Sequence, residues 1–290
     1  MSVRKECPKI NPAIYFQGSR MLDEFIKKSE GESKNAYQKD LLKLYDEWLI
    51  NFPAYNGRSI VGQIMSNKAQ KMIDYELASK SEIFTLFEDA YQTDPLSFDD
   101  PKPLYSYFKT YFELYKDGEN DITLNQIFNK YEELSERYNS IIDDYSKQID
   151  IIINKENSGI ALTSREKRNK RAYEINSNAS NIYLRNLNAI IAKESTCENL
   201  IPLYRKNLEE NKTNPVWLNR AASRMDSKEC SDDPLFVVLV ELLHNLNPSA
   251  NSAYYLGLLN DKKNNSEEAL KFYNESVSYT HLTLPTTVFV

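Results

Sequence analysis

The sequence predicts an all-α fold, a right-handed α-solenoid built from helical hairpins. The first observation is that only seven of the 290 residues are glycine, about a third of the usual frequency of roughly 7%. So few glycines do not suit the turns of a β-sandwich or the phosphate loops of a nucleotide enzyme. The other two observations are a recurring spacing of apolar residues and a set of helix-capping sequences.

A triplet of mostly apolar or aromatic residues, at positions i, i+4 and i+7, recurs six times along the chain. Positions i, i+4 and i+7 share one face of a helix, so each triplet predicts a helix with one side to bury. The triplets are Leu41, Tyr45 and Trp48; Ile83, Phe87 and Ala90; Leu124, Phe128 and Tyr131; Leu200, Tyr204 and Asn207; Phe236, Val240 and Leu243; and Ala269, Tyr273 and Ser276.

The triplets begin 42, 41, 76, 36 and 33 residues apart, which is typical of two-helix repeats with the triplet on the second helix. The step of 76 residues leaves room for one degenerate unit. We therefore expect six to seven hairpins in a single domain over residues 1–277. Capping boxes predict further helix starts, because hydroxyl and carboxylate satisfy opposite backbone donors. They occur at Ser79–Glu82, Thr163–Glu166 and Ser195–Glu198.

The string SAYYLGLLNDKKNNSEEALKFY, which ends at Tyr273, resembles a tetratricopeptide repeat (TPR). Leu256 and Gly257 match the Leu-Gly pair of that family, and Ala269 and Tyr273 match its later Ala and aromatic positions. Ala253 departs from the pattern, because the family has Trp there. The resemblance implies stacked hairpins whose first helices line a concave groove that binds peptide segments.

Three further strings, KDLLKLYDEWLINFP, AIIAKESTCENLIPLY and CSDDPLFVVLVELL, resemble exported TPR proteins of Bacteroidota. That resemblance implies a periplasmic or other envelope address. Met1 is followed by charged residues and Pro8, without the apolar segment of a signal peptide, so we expect both ends to be truncated. The last residues, 278–290, read SYTHLTLPTTVFV and resemble a translated sequencing-adapter tail, which we expect to be non-native.

Composition and motifs disfavour several functions. The net charge of −6 opposes binding to phosphate backbones, so we expect no nucleic-acid partner. The longest apolar run, Leu235 to Val240, is far shorter than the roughly 20 residues of a membrane span. Neither GxSxG, HExxH nor a Gly-rich loop occurs, which predicts no enzyme and no cofactor. We interpret the acidic pairs as turns and caps, namely Asp99–Asp100, Asp143–Asp144 and Asp232–Asp233.

Cys197 and Cys230 lie at similar places in adjacent predicted units. They would form a disulfide that joins the two units, or remain two separate buried thiols. Cys7 stands apart beside Pro8, and no cysteine or histidine spacing suits a metal site. We therefore expect no metal.

Candidate groove residues come from two predicted first helices, residues 181–188 and 217–225, and Tyr254 is a further candidate. Pairs at i, i+4 can hold a carboxylate by charge-assisted hydrogen bonds, and Tyr is enriched in interfaces. The alternative is that they are outward-facing residues in solvent. The candidates are Asn181, Arg185, Asn188, Arg220, Arg224 and Tyr254.

Five basic residues between Arg165 and Arg171 suit an acidic partner or an anionic surface, or else a solvated helix face. The predicted function is a scaffold that binds a protein or peptide partner in its groove. The alternatives are a structural envelope component without a ligand and an enzyme on a helical-repeat scaffold.

Overall fold

A computed structural model describes residues 2–282 of the chain, with side chains described for residues 3–279. Within this range the chain forms thirteen helices and one two-stranded antiparallel hairpin. The elements are α1 (Ser2–Glu6), α2 (Ala13–Lys28), α3 (Gly31–Asn51), β1 (Ala54–Tyr55), β2 (Arg58–Ser59), α4 (Val61–Asp74), α5 (Lys80–Thr93), α6 (Pro101–Asp117), α7 (Leu124–Asn157), α8 (Ser164–Ala192), α9 (Cys197–Asn211), α10 (Pro215–Ser227), α11 (Pro234–Leu246), α12 (Ala250–Lys262) and α13 (Ser266–Leu282).

The all-α class is confirmed, and the helices are grouped in two compact units, Met1–Ile191 and Ala192–Val290. In the first unit α2 packs on α3, α4 on α5, and α6 on α7. In the second unit α10 packs on α11, and α12 on α13. The single domain over residues 1–277 and the right-handed sense of the solenoid stay predictions.

The six triplets lie on α3, α5, α7, α9, α11 and α13, so every second helix from α3 onward carries one. The first two positions are buried in most triplets. Phe87 and Val240 have no exposed surface, and Phe128 has 1%. The recurring spacing therefore identifies the helix faces that build the core of each unit.

Two of the three predicted capping boxes are confirmed. Ser79 and Glu82 exchange both hydrogen bonds at the start of α5, and Thr163 with Glu166 does the same before α8. The box on Ser195 is wrong, because Thr196 is the N-cap of α9. This shift by one residue moves Glu198 to the second helical position, where its carboxylate cannot complete a box.

The step of 76 residues contains no extra hairpin of ordinary length. It is filled by two long helices, α7 with 34 residues and α8 with 29. Of the residues from 142 to 179, which we call the extension, only Ile152 is buried. The sequence spacing could not distinguish a degenerate repeat from two lengthened helices.

Gly257 brings α12 and α13 close together in the second unit. A Cβ atom built on this glycine would lie 2.6 Å from ring atoms of Tyr273, which is closer than real contacts allow. The absence of a side chain at Gly257 thus permits the close approach of the two helices. Helix α13 continues to Leu282, so its end does not coincide with the change of sequence character at Ser278. Residues 283–290 lie outside the described part of the chain.

The acidic pairs differ in role. Asp100 and Asp233 are N-caps of α6 and α11, as predicted. Asp143 and Asp144 lie inside α7, so the prediction that this pair forms a turn or a cap was wrong. Asp99 differs from the others, because burial and then the nearby charge of Asp100 raise its pKa to about 6.

Replacing Asp99 by Asn is expected to stabilise the first unit by on the order of 2 kcal/mol at pH 7. The raised pKa means that the folded state binds a proton more tightly than the unfolded state does. The stabilising contribution of protonated Asp99 to the free energy of unfolding is therefore lost as the pH rises from about 4 through 6. Urea unfolding at several pH values should show that the free energy of unfolding of the variant rises relative to that of the wild type as the pH increases across that window. Exposed Asp150→Asn, on α7, serves as the control for loss of charge alone.

Candidate functional site

The first unit contains a cavity of about 600 Å³ between α2, α3, the β-hairpin and α4. We call it the aromatic cavity, because four aromatic side chains contribute to its wall. Polar groups from α2 and α4 complete the lining. The aromatic residues are Phe16, Tyr45, Trp48 and Tyr55, and the main polar residues are Ser19, Arg20, Asp23, Gln63, Asn67, Lys71 and Asp100.

Helix α2 contributes one continuous face, with Phe16, Ser19, Arg20 and Asp23 at i, i+3, i+4 and i+7. Ser19 is buried and its hydroxyl lies 3.0 Å from that of Tyr45. The guanidinium of Arg20 lies 5.8 Å from the ring centroid of Phe16, in cation–π contact. Arg20 is exposed, so its charge is accessible to a ligand.

Asp23 anchors α4 against α2. Its carboxylate accepts hydrogen bonds from Lys71 Nζ at 2.6 Å and from Tyr75 OH at 2.8 Å. Burial, followed by this bond to the carboxylate, raises the pKa of Tyr75 above its ordinary value. One turn earlier on α4, Asn67 donates to Asp100 at 2.8 Å. The polar wall of the cavity is therefore held in place before any ligand arrives.

The β-hairpin forms one edge of the cavity. Asn56 and Gly57 both have positive φ, at 50° and 76°, as the tight turn of a two-residue hairpin requires. Next to this turn, Tyr55 is 54% exposed and lines the cavity. At the hairpin's other end, Ser59 donates to Asp94 at 2.6 Å, which ties the hairpin to the end of α5.

Trp48 offers an unused donor at the aromatic cavity. Its ring stacks with Tyr15 and Tyr45 at centroid distances of 6.1 Å each. Its indole Nε1 is buried and has no hydrogen-bond partner among the described residues. A buried donor without a partner costs about 1–3 kcal/mol. A ligand acceptor would remove that cost once a shift of the cavity wall exposes the enclosed Nε1.

A second cavity of about 600 Å³ lies in the same unit, lined by α4, α5, α6 and α8. Tyr105 and Tyr183 meet in it with ring centroids 5.5 Å apart. Gln70 donates through Nε2 to Asp74 at 2.9 Å, while its buried Oε1 has no partner within the described residues. Gln70 thus contributes to the wall of the second cavity a carbonyl oxygen that is enclosed and unused.

The predicted groove candidates of the first unit lie on α8. Asn181 donates to the carbonyl of Ser177 at 2.9 Å in its own helix. Asn188 accepts from Tyr131 OH at 2.8 Å, and Arg185 is exposed. None of these three lines the aromatic cavity or the second cavity, whereas their neighbour Tyr183 lines the second one.

The other candidates belong to the second unit. Arg224 donates to Tyr204 OH at 3.0 Å, which ties α10 to α9. Arg220 is half-buried on the same helix. Tyr254 is 45% exposed and lies 6.0 Å from Tyr273 between ring centroids. The structure therefore gives Arg224 a packing role and leaves Tyr254 accessible.

The structure joins Cys197 and Cys230 in a disulfide, with Cα atoms 5.4 Å apart. Cys7 is free and exposed. Residues 2–282 contain no group of three or more potential metal ligands among His, Cys, Asp and Glu. In the same range, no helix combines the length and the apolar character needed to cross a bilayer.

Sequence reasoning missed the aromatic cavity, although two signals pointed to it. The face formed by Phe16, Ser19, Arg20 and Asp23 has helical spacing, and Asn56-Gly57 is a strong hairpin signal. Comparison with known proteins adds no assignment: no protein-family model matches the chain, and no curated protein matches it significantly.

Proposed function

We propose that the protein is a TPR-like interaction scaffold that binds an extended peptide segment of a partner protein, with the aromatic cavity as the main contact. The observation that carries the proposal is the buried indole N–H of Trp48, which has no acceptor among the described residues. The ring of Trp48 contributes to the wall of a cavity of about 600 Å³, a size typical of ligand sites, and a ligand that shifts this wall would bring an acceptor to the enclosed N–H.

The two cavities together favour a peptide over a small anion or an apolar ligand. A peptide backbone supplies a carbonyl for the donor of Trp48 and an N–H for the acceptor of Gln70. Aromatic walls accept apolar side chains, while the exposed charge of Arg20 suits a carboxylate. Helices α2, α4, α6 and α8, the first helices of the predicted hairpins, line these cavities together with residues of α3 and α5. Peptide-binding repeats likewise line their groove with first helices.

We also propose an envelope address for the parent protein, as the resemblance to exported TPR proteins of Bacteroidota implies. The disulfide between Cys197 and Cys230 supports this proposal, because disulfides persist in oxidising compartments such as the periplasm. The proposal gives the chain no chemical reaction, no nucleic acid and no metal.

Peptides selected from a displayed random library on the full chain provide the test. Replacing Trp48 by Phe keeps the aromatic body but removes the N–H, so we expect the affinity for selected peptides to fall about tenfold. Trp217→Phe in the second unit is the matched control and should leave the affinity unchanged. Isothermal titration measures both, and circular dichroism checks that each variant is folded.

The indole ¹⁵N–¹H resonance of Trp48 gives a second readout, since a new hydrogen bond moves it downfield on titration with the same peptides. The proposal fails if the library yields no binder. It also fails if Trp48→Phe and Trp217→Phe bind equally well.

A further inference from the structure

The far end of the α7–α8 extension combines accessible cations with accessible apolar side chains. Residues 158–172 carry five basic residues and one acidic residue, in a chain whose net charge is −6. Four of the basic side chains are exposed. The charged residues are Arg165, Glu166, Lys167, Arg168, Lys170 and Arg171. A positive patch of this kind contrasts in sign with the rest of the protein.

Among the basic residues of this patch, Lys170 is paired with an acidic group, and the four exposed cations keep its charge positive. The carboxylate of Glu166 lies 2.5 Å from Lys155 Nζ, and that of Glu156 lies 2.6 Å from Lys170 Nζ. Both pairs join the end of α7 to the start of α8. Arg165 lies in the first turn of α8, where the helix dipole disfavours a cation, so its position does not serve helix stability.

The turn between the two helices carries the apolar component. Ile160 is 54% exposed, and Leu162 is half-buried two residues later. Helix α7 continues from Ile141, the last buried residue before the extension, to Asn157, about 24 Å at 1.5 Å per residue. The turn is therefore well removed from the residues that build the core of the first unit.

We propose that this end of the extension, Ile160 to Arg171, docks on an anionic lipid surface. Cations attract acidic headgroups at about 1 kcal/mol each, close to a fivefold gain in binding per residue. An apolar side chain beside them inserts at the boundary of headgroups and acyl chains. An acidic protein or a polyanion would use the cations but would gain little from an exposed isoleucine at the turn.

Vesicle flotation with the full chain tests the proposal. Vesicles of phosphatidylcholine alone should leave the protein unbound, whereas vesicles that also contain phosphatidylglycerol should carry it upward. The triple variant Arg165→Gln, Arg168→Gln, Arg171→Gln should bind about a hundredfold more weakly. The matched control removes the same charge from exposed positions on α2 and α3, namely Lys27→Gln, Lys28→Gln and Lys43→Gln, and should bind like the wild type.

Variants at Ile160 distinguish a lipid surface from other acidic partners. Ile160→Ser should weaken vesicle binding about tenfold, whereas Ile50→Ser, at a 77% exposed position on α3, should not. In Ile160→Trp, brominated acyl chains should quench the new emission. Absence of binding to anionic vesicles would overturn the proposal, as would equal loss in the triple variant and its control. Binding to polyglutamate or heparin without vesicle binding would assign the patch to an acidic macromolecule and also overturn it.

Discussion

Removing the disulfide by Cys197→Ser with Cys230→Ser is expected to lower the free energy of unfolding of the second unit by about 3 to 4 kcal/mol. The bond spans 33 residues and encloses α9 and α10. Cross-linking a segment of this length restricts the unfolded chain, and that restriction is lost in the double variant. Urea unfolding followed by the fluorescence of Trp217, with Trp48 replaced by Phe, reports on this unit alone.

A reducing agent supplies the matching measurement on the native cysteines. Dithiothreitol should lower the unfolding midpoint of the parent chain to that of the double variant and leave the double variant unchanged. Cys7→Ser controls for the loss of a thiol, because Cys7 is free and exposed. Equal midpoints with and without reductant would show that the disulfide contributes no stability. A large effect would also link folding to an oxidising compartment.

The sequence was sufficient to predict the all-α class, the helices that carry the triplets and much of the core, because those features depend on local periodicity. A helix buries i, i+4 and i+7 together, and Leu41, Phe87 and Phe236 are all fully buried. Capping boxes are equally local, and two of three were right. The third failed by one residue, which periodicity does not resolve.

The candidate site could not be predicted in the same way, because it depends on which side chains meet from distant helices. Arg224 looked available in sequence but donates to Tyr204. Trp48 was assigned to the core, and only the surrounding residues show that its N–H lacks an acceptor. Asp99 likewise looked like an ordinary turn residue, since burial is a property of the folded neighbourhood.

Gly62→Ala is expected to destabilise the first unit by about 3 kcal/mol. A Cβ atom at this position would lie 2.2 Å from the carbonyl oxygen of Asp94 and 3.1 Å from the backbone nitrogen of Phe98. Backbone atoms cannot rotate away as a side chain can. In the variant, the start of α4 must therefore move away from the connection between α5 and α6. Urea unfolding followed by Trp48 fluorescence, with Trp217 replaced by Phe, measures the loss.

Gly18→Ala is the matched control within the same unit. Its Cβ would lie 2.8 Å from Leu44 Cδ1, the end of a flexible side chain that can shift. The better helix propensity of Ala, about 1 kcal/mol over Gly, offsets that adjustment. We therefore expect Gly18→Ala to change stability by less than about 1 kcal/mol, and equal losses in the two variants would contradict the argument.

The displacement in Gly62→Ala should also reach the aromatic cavity. Asp94 accepts from Ser59 Oγ at 2.6 Å and from the backbone N–H of Gly62 at 3.5 Å, so it couples the β-hairpin to the start of α4. Moving that start shifts Gln63 and Asn67, which line the cavity. Peptides selected on the parent chain should thus bind the variant more weakly even at temperatures where it is folded. Unchanged affinity in a destabilised Gly62→Ala would show that the cavity does not depend on this junction.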